Sequence, residues 1–212
     1  SSPTNGAYVS NNKQPIVFTV TDEAGGSGVN INSLVVKIDN KTVTSGIATT
    51  AITNGYSVTV TPTESLSDGN HTATITCSDN DGNAADSKST TFKVDTVPPV
   101  LNVTSPTEGL ITANKSLVVS GTTNDITSSP VTVTVNGTAV TVASNGSFST
   151  TITLTEGANK ITIIAKDAAG KTSTVTRNVT LNTKVPKITS VTITPNPANT
   201  GDSMIIKVVV TE

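Results

Sequence analysis

Few residues of this chain could do chemistry. His71 is the only His, Cys77 the only Cys and Arg177 the only Arg, among 13 basic and 15 acidic residues in 212. Covalent catalysis needs a nucleophile, a base within hydrogen-bond reach and a group that orients the base. No motif assembles such a set, so the chain reads as non-catalytic. The carboxylates carry the sharper signal. Asp79-Asn80-Asp81-Gly82-Asn83 crowds hard oxygens into one tight turn, the ligand type Ca²⁺ takes, without the full helical-hand spacing or its terminal Glu.

Composition removes other functions. A formal net charge of −2, with the Lys residues scattered singly and one Arg, provides no electrostatic footprint for nucleic acid or an anionic membrane surface. No apolar run approaches the ~18 residues of a spanning helix. A sugar platform needs exposed aromatic faces. Of the five aromatics, Phe18 and Phe92 fall in phase with inward Val and Ile, and Tyr56 and Phe148 stand at matching places, which leaves Tyr8 as the free ring. Cys77 has no partner for an intrachain disulfide and reads as a small core filler, and His71 as an exposed residue at a strand start.

The elements that must position these groups are β-strands. Thr makes up about a fifth of the chain and Val leads the apolar residues, a composition that suits pleated surfaces. Apolar residues alternate with polar ones: Ile16, Phe18 and Val20 with Val17, Thr19 and Thr21, and Val131, Val133 and Val135 with Thr132 and Thr134. Asp39-Asn40 and Asn136-Gly137 stand between strand runs, where a two-residue hairpin needs positive φ at both positions. No stretch has helical periodicity.

The chain also repeats itself. Ser2-Pro3-Thr4-Asn5-Gly6 returns as Ser105-Pro106-Thr107-Glu108-Gly109, and Leu66, Gly69, Ile75, Asp79 and Gly82 return as Leu154, Gly157, Ile163, Asp167 and Gly170. Val185-Pro186-Lys187-Ile188 then follows the pattern of Pro98-Pro99-Val100-Leu101 and opens a third copy. The expected division is 1–97, 98–183, and 184–212 as the first two strands of a truncated third domain. About seven short strands per copy, with turns every 8 to 12 residues, predict antiparallel sandwiches with Greek-key connections.

Ser-Pro-Thr-Glu-Gly at 105–109, Val135-Asn136-Gly137, Gly146-Ser147-Phe148, Glu156-Gly157-Ala158-Asn159 and Lys166-Asp167-Ala168-Ala169-Gly170 resemble the bacterial immunoglobulin-like domains, particularly those appended to glucodextranase and to surface proteins. The first copy is similar to their close relatives through Gly26-Ser27-Gly28-Val29, Leu66-Ser67-Asp68-Gly69-Asn70-His71 and the linker Val94-Asp95-Thr96-Val97-Pro98-Pro99. The resemblance implies an all-β tandem of immunoglobulin-like sandwiches. In that topology Asp22, Glu23, Asp79 and Asp81 converge at the pole where the chain joins the first domain. Glu64 and Asp68 at its far pole, Asp95 in the linker, and Asp125 with Asp167 at the near pole of the second domain meet at the first junction. This arrangement resembles the calcium-stiffened junctions of cadherin-like repeats and bacterial adhesins, so Ca²⁺ is the expected cofactor and Asp22, Asp68, Asp79, Asp81, Asp95, Asp125 and Asp167 its candidate ligands. At the second junction Asn182 replaces Asp95 and Glu156 replaces Asp68. The competing reading is that Asp and Asn cap turns through their neighbouring backbone.

The resemblance is specific for fold and open for function. The first expectation is a non-catalytic spacer in a secreted or cell-surface bacterial protein, partnered by neighbouring immunoglobulin-like domains of the same chain. An adhesin or phage-virion module binding glycan or protein through loops 21–29 and 122–130 is the alternative, followed by an accessory domain of a polysaccharide-degrading enzyme.

Overall fold

The computed structural model describes residues 1–194, 200, 201, 203 and 205–211, and these contain strands and turns but no helix. Residues 195–199, 202, 204 and 212 of the expected third copy lie outside the described residues.

The first unit is built of β1 (Ala7–Val9), β2 (Ile16–Thr21), β3 (Val29–Ile38), β4 (Lys41–Thr42), β5 (Ile47–Ile52), β6 (Gly55–Val60), β7 (Gly69–Asp79) and β8 (Lys88–Val94). They form a sheet ordered β1-β8-β7-β3-β4 and a sheet ordered β2-β6-β5. Period-two alternation sends one side of each strand into a shared core: Ile16 and Phe18 of β2, Val58 and Val60 of β6, Val36 of β3, Ala73 of β7 and Phe92 of β8.

The second unit repeats this with β9 (Val100–Ser105), β10 (Leu110–Thr112), β11 (Ser116–Asn124), β12 (Thr132–Val135), β13 (Thr138–Val140), β14 (Ser147–Thr153), β15 (Gly157–Lys166) and β16 (Thr172–Leu181). Its sheets are β10-β16-β15-β12-β13 and β14-β11-β9. Val119, Val133, Phe148, Leu154, Ile161 and Ile163 belong to a separate core cluster. The third strand of the smaller sheet therefore changes sides: β5 lies beside β6 in the first unit, whereas β9 lies beside β11 in the second. Two further strands, β17 (Lys187–Thr194) and β18 (Ile205–Thr211), pair with each other and, among the described residues, with no other strand.

Turn chemistry follows the residues that need it. Asp39 and Asn40 (φ 51° and 67°) join β3 to β4, and Asn136 and Gly137 (φ 49° and 81°) join β12 to β13. Three details differ from the sequence reading. His71 is 5% exposed, because the Asp39 turn and the Ser67 loop close over the start of β7. Cys77 is half-buried, and burial pushes its thiol pKa up. Tyr56 and Phe148 do not share a place: Tyr56 lies across from Val20, while Phe148 lies across from Gly121, the counterpart of Phe18. Each core holds one Phe at this pair of facing positions, on opposite strands: Phe18 faces Val58, and Gly121 faces Phe148.

Two separate cores predict separable stability. Ile163→Ala removes a side chain with 0% exposure and should cost about 2–5 kcal/mol in the second unit. Hydrogen exchange under mild urea should then show lost protection across 99–183 with little change across 16–94.

Candidate metal centre

Three of the candidate acids meet where the first unit hands over to the second. One carboxylate oxygen from each of Asp95, Asp125 and Asp167 lies within 4.8 Å of the other two. Each is placed by its own backbone device. Asp95 follows β8, and its N–H donates to Val9 O (2.9 Å), extending the parallel pairing of β1 with β8 by one link. Its Oδ1 accepts from Val97 N–H (3.1 Å) and its Oδ2 from the Ser128 hydroxyl of the second unit. Asp125 ends the run after β11, and its Oδ1 accepts from Thr127 N–H (2.8 Å) and Ser128 N–H (2.7 Å), an Asx turn. Asp167 opens the β15–β16 turn, and its Oδ1 accepts from Lys171 N–H (2.8 Å).

These bonds turn the remaining oxygens toward one another. Asp95 is 0% exposed and Asp167 is 5% exposed, and Asp167 Oδ2 is buried without a hydrogen-bond partner. Two like charges this close repel by roughly 3–4 kcal/mol at an effective dielectric of about 20. Among the described residues the salt bridges are Lys41 with Glu64 and His71 with Asp39, so no Lys or Arg ammonium pairs with the cluster. Ligand oxygens on opposite sides of a Ca²⁺ ion stand about 4.6–5.2 Å apart, the sum of two bond lengths of 2.3–2.6 Å. A mutual spacing within 4.8 Å therefore fits a shared hard cation, and a set of carboxylates with no His or Cys suits Ca²⁺ better than zinc, whose structural sites are built on Cys and His.

The junction is held by other contacts as well. Tyr8 of β1 donates its hydroxyl to Ser129 O (3.2 Å), and the Ser173 hydroxyl on β16 donates to Pro99 O (2.5 Å). Tyr8, expected as a free ring, thus docks the two units together, with Lys93 Nζ 5.3 Å from its ring centroid.

The other candidate acids are placed elsewhere. Asp68 accepts from Thr96 N–H (2.9 Å) and the Thr96 hydroxyl, clamping the linker from the outside. Glu64 is exposed and pairs with Lys41 (3.0 Å). Asp81 is exposed in the β7–β8 turn. Asp22 and Asp79, the counterparts of Asp125 and Asp167, lie close enough for the Asp79 charge to act on Asp22, yet both are capped. Asp22 accepts from Glu23 N–H (2.9 Å) and Gly28 N–H (2.7 Å), and Asp79 from Asn83 N–H (2.8 Å) and Asn83 Nδ2 (2.7 Å). In the second unit Lys171 stands at the place of Asn83, keeps the backbone bond, and leaves Asp167 Oδ2 without a cap.

The second junction is an internal control. Asn182 N–H donates to Thr112 O (2.9 Å) and Lys184 N–H to Asn182 Oδ1 (3.1 Å), repeating both backbone bonds of Asp95. Glu156 clamps Thr183 as Asp68 clamps Thr96. The local geometry is the same, and the amide carries no charge.

Residues 4–96 match the family model described as bacterial Ig-like domain, and residues 99–183 match the one described as glucodextranase, domain B. The chain is 34% identical over 123 residues to Bacillopeptidase F of Bacillus subtilis, a stretch that is 58% of this chain and 8% of that protein. Among solved structures it is similar to the fibronectin(III)-like modules of Clostridium thermocellum CbhA, at 19% identity and a TM-score of 0.50, covering 85% of this chain and 92% of the other. A titin fragment of three Ig domains is 12% identical with a TM-score of 0.49, covering 88% of this chain and 65% of the other.

The capped acid of the first unit makes a direct prediction. The Asn83 side-chain amide holds the Asp79 carboxyl below the usual Asp range. A depressed folded pKa contributes stability that is present above the unfolded value and is lost as pH falls through the folded one. Carboxyl carbon NMR should place the Asp79 midpoint below that of a free Asp side chain, and Asn83→Ala should move it upward. An unchanged midpoint in that variant would contradict the capping role.

Proposed function

Because the chain is a tandem of bacterial immunoglobulin-like domains, we propose that it serves as a non-catalytic spacer in a secreted or cell-surface protein, its first junction stiffened by one Ca²⁺ ion. The supporting observation is the Asp95–Asp125–Asp167 cluster, with its fully buried linker carboxylate and the orphan Asp167 Oδ2. A divalent cation there offsets the mutual repulsion of three acids drawn from the linker and from both ends of the second unit's pole. Binding in turn ties the relative orientation of the units to the ion. Pro98 and Pro99 already restrict the linker backbone, so the ion would remove much of the freedom that remains.

A second reading, an accessory segment attached to an enzyme, draws support from the glucodextranase domain B match across 99–183. The chain spans only 8% of Bacillopeptidase F, so the activity of a longer parent would reside in other segments. Both readings assign the same mechanical role to this stretch, and the flanking sequence distinguishes them.

Millimolar Ca²⁺ should raise the melting temperature of the chain and a chelator should reverse the rise. At a free concentration about 100 times Kd the stabilisation is about 2.7 kcal/mol. Asp95→Asn copies the second junction and should abolish the shift. Lys171→Asn copies the first unit's cap and should weaken Ca²⁺ binding by about tenfold or more, the scale of an outer-shell change. Calorimetry with no heat and no melting shift in the parent chain would sink the Ca²⁺ assignment. Small-angle scattering that shows the two units folded against each other would sink the spacer.

A further inference from the structure

One residue at the first junction reaches the segments of all three acids. Ser128, in the loop between β11 and β12, is 0% exposed. Its N–H donates to Asp125 Oδ1 (2.7 Å), its carbonyl accepts from the N–H of Ala168 next to Asp167 (3.2 Å), and its hydroxyl donates to Asp95 Oδ2. Linker, loop and turn are thus tied at a single residue.

The first unit shows which of these bonds the fold itself needs. There Gly28 N–H donates to Asp22 Oδ2 (2.7 Å), and Gly28 O accepts from Asn80 N–H (2.9 Å). Asp22 is the counterpart of Asp125, and Asn80 follows Asp79 as Ala168 follows Asp167, so Gly28 makes both backbone bonds of Ser128. Its φ of 86° favours Gly, and a β-carbon there would lie 3.2 Å from Asn80 Nδ2. The pole of the first unit therefore closes with no side chain at this place.

What Ser128 adds is a hydroxyl. Among the described residues that hydroxyl makes no bond within its own unit, and its partner is a carboxylate of the linker. Asp95 depends on it in turn: Val97 N–H holds Oδ1 (3.1 Å), and the Ser128 hydroxyl is the donor to Oδ2. Asn182 at the second junction shows the arrangement without such a donor. Its side-chain oxygen accepts from Lys184 N–H (3.1 Å) as Asp95 accepts from Val97, and the residue is half-buried where Asp95 is fully buried. The local turn alone does not carry the linker side chain into the second unit.

We propose that Ser128 is the positioning residue of the metal centre, its hydroxyl aiming the Asp95 carboxylate at Asp125 and Asp167 before the ion arrives. This role rests on the Ca²⁺ reading and names the donor that assembles the site. An ion that finds its third carboxylate already in place does not have to order the linker on binding. Donors that orient a ligand in this way set metal affinity by about ten- to a hundredfold.

Calorimetric titration of the full chain with CaCl₂ tests the role in Ser128→Ala and Tyr8→Phe. Ser128→Ala deletes the hydroxyl and keeps both backbone bonds, whereas Tyr8→Phe deletes a different bond between the units, from the Tyr8 hydroxyl to Ser129 O (3.2 Å). Ser128→Ala should weaken Ca²⁺ binding by about tenfold or more, and Tyr8→Phe by no more than about twofold. Ser128→Gly, the residue of the first unit, should behave as Ser128→Ala does. Because the hydroxyl has no partner in its own unit, amide exchange at Ile161 and Ile163 in chelator should stay within about twofold of the parent in both Ser128 variants. A purely structural role would speed that exchange and overturn the proposal. Ca²⁺ affinity within about twofold of the parent in both Ser128 variants also overturns it while leaving the cation site standing, as does an equal loss in Tyr8→Phe, which would assign the effect to docking in general. A parent chain with neither heat nor melting shift removes the cation site, and the role of Ser128 falls with it.

Discussion

A carboxylate taken out of water must be matched by charge or by donors, and that constraint governs the first junction. Asp95 is 0% exposed, placed there by a hydrogen bond that merely continues a β-ladder. The β1–β8 pairing cannot extend to Val9 without carrying Asp95 into the space between the units. Two donors, Val97 N–H and the Ser128 hydroxyl, meet part of its demand. The rest of that space is occupied by Asp125 and Asp167, which add to the negative charge instead of offsetting it. An arrangement of this kind is stable as the protein half of a cation site and costly as an isolated feature.

The duplication shows which substitutions make the difference. Both units carry an Asp after the second long strand and another at the turn between the last two strands. In the first unit Asn83 donates its backbone N–H to one oxygen of Asp79 and its side-chain amide to the other, so both oxygens are bonded. Lys171 at the equivalent place satisfies one oxygen of Asp167 and exposes the other to the junction. On the linker side, Asp95 and Asn182 make the same two backbone bonds, but Asp95 is charged, fully buried and also bonded by the Ser128 hydroxyl. A buried carboxylate oxygen, Asp167 Oδ2, is left uncapped at the one junction where the linker contributes a third acid. A purely turn-capping role explains Asp22, Asp68 and Asp79, whose oxygens are all engaged locally, and leaves Asp167 Oδ2 unexplained.

Much of this was legible in the residues because sheets impose a strict period and hairpins demand particular dihedrals. Alternation located the inward faces of β2 and β12, and Asp39-Asn40 and Asn136-Gly137 marked the β3–β4 and β12–β13 turns. Adding the sandwich topology implied by the resemblance brought Asp95, Asp125 and Asp167 to one junction. The same reasoning did not separate them from Asp22, Asp79, Asp81 and Asp68, since whether an acid is free depends on single donors such as Asn83 and Thr96. His71 escaped for a related reason. Its burial is imposed by a turn 32 residues away, through Asp39 Oδ2 (2.6 Å), and by the loop just before its strand, through Ser67 O (2.7 Å), and neither contact leaves a periodic trace. Tyr56 and Phe148 show the limit of comparing copies by spacing alone, for the ladder places them at neighbouring inward positions and not at the same one.

The segment that carries Asp95 also becomes the edge strand of the next domain. Between Asp95 and Val100 lie four residues, two of them Pro, and β9 then runs along β11 with the Thr123 hydroxyl bonded to Val100 O (2.8 Å). The junction carboxylate and the closing strand are therefore one mechanical element. Tension along the chain leaves the first unit through β8, which is flanked by β1 and β7, and enters the second through β9, which is paired along its length with β11. Force applied this way shears ladders whose hydrogen bonds share the load, instead of opening them one at a time. A cation gripping Asp95 from the far side would fix the angle at which that load is passed on.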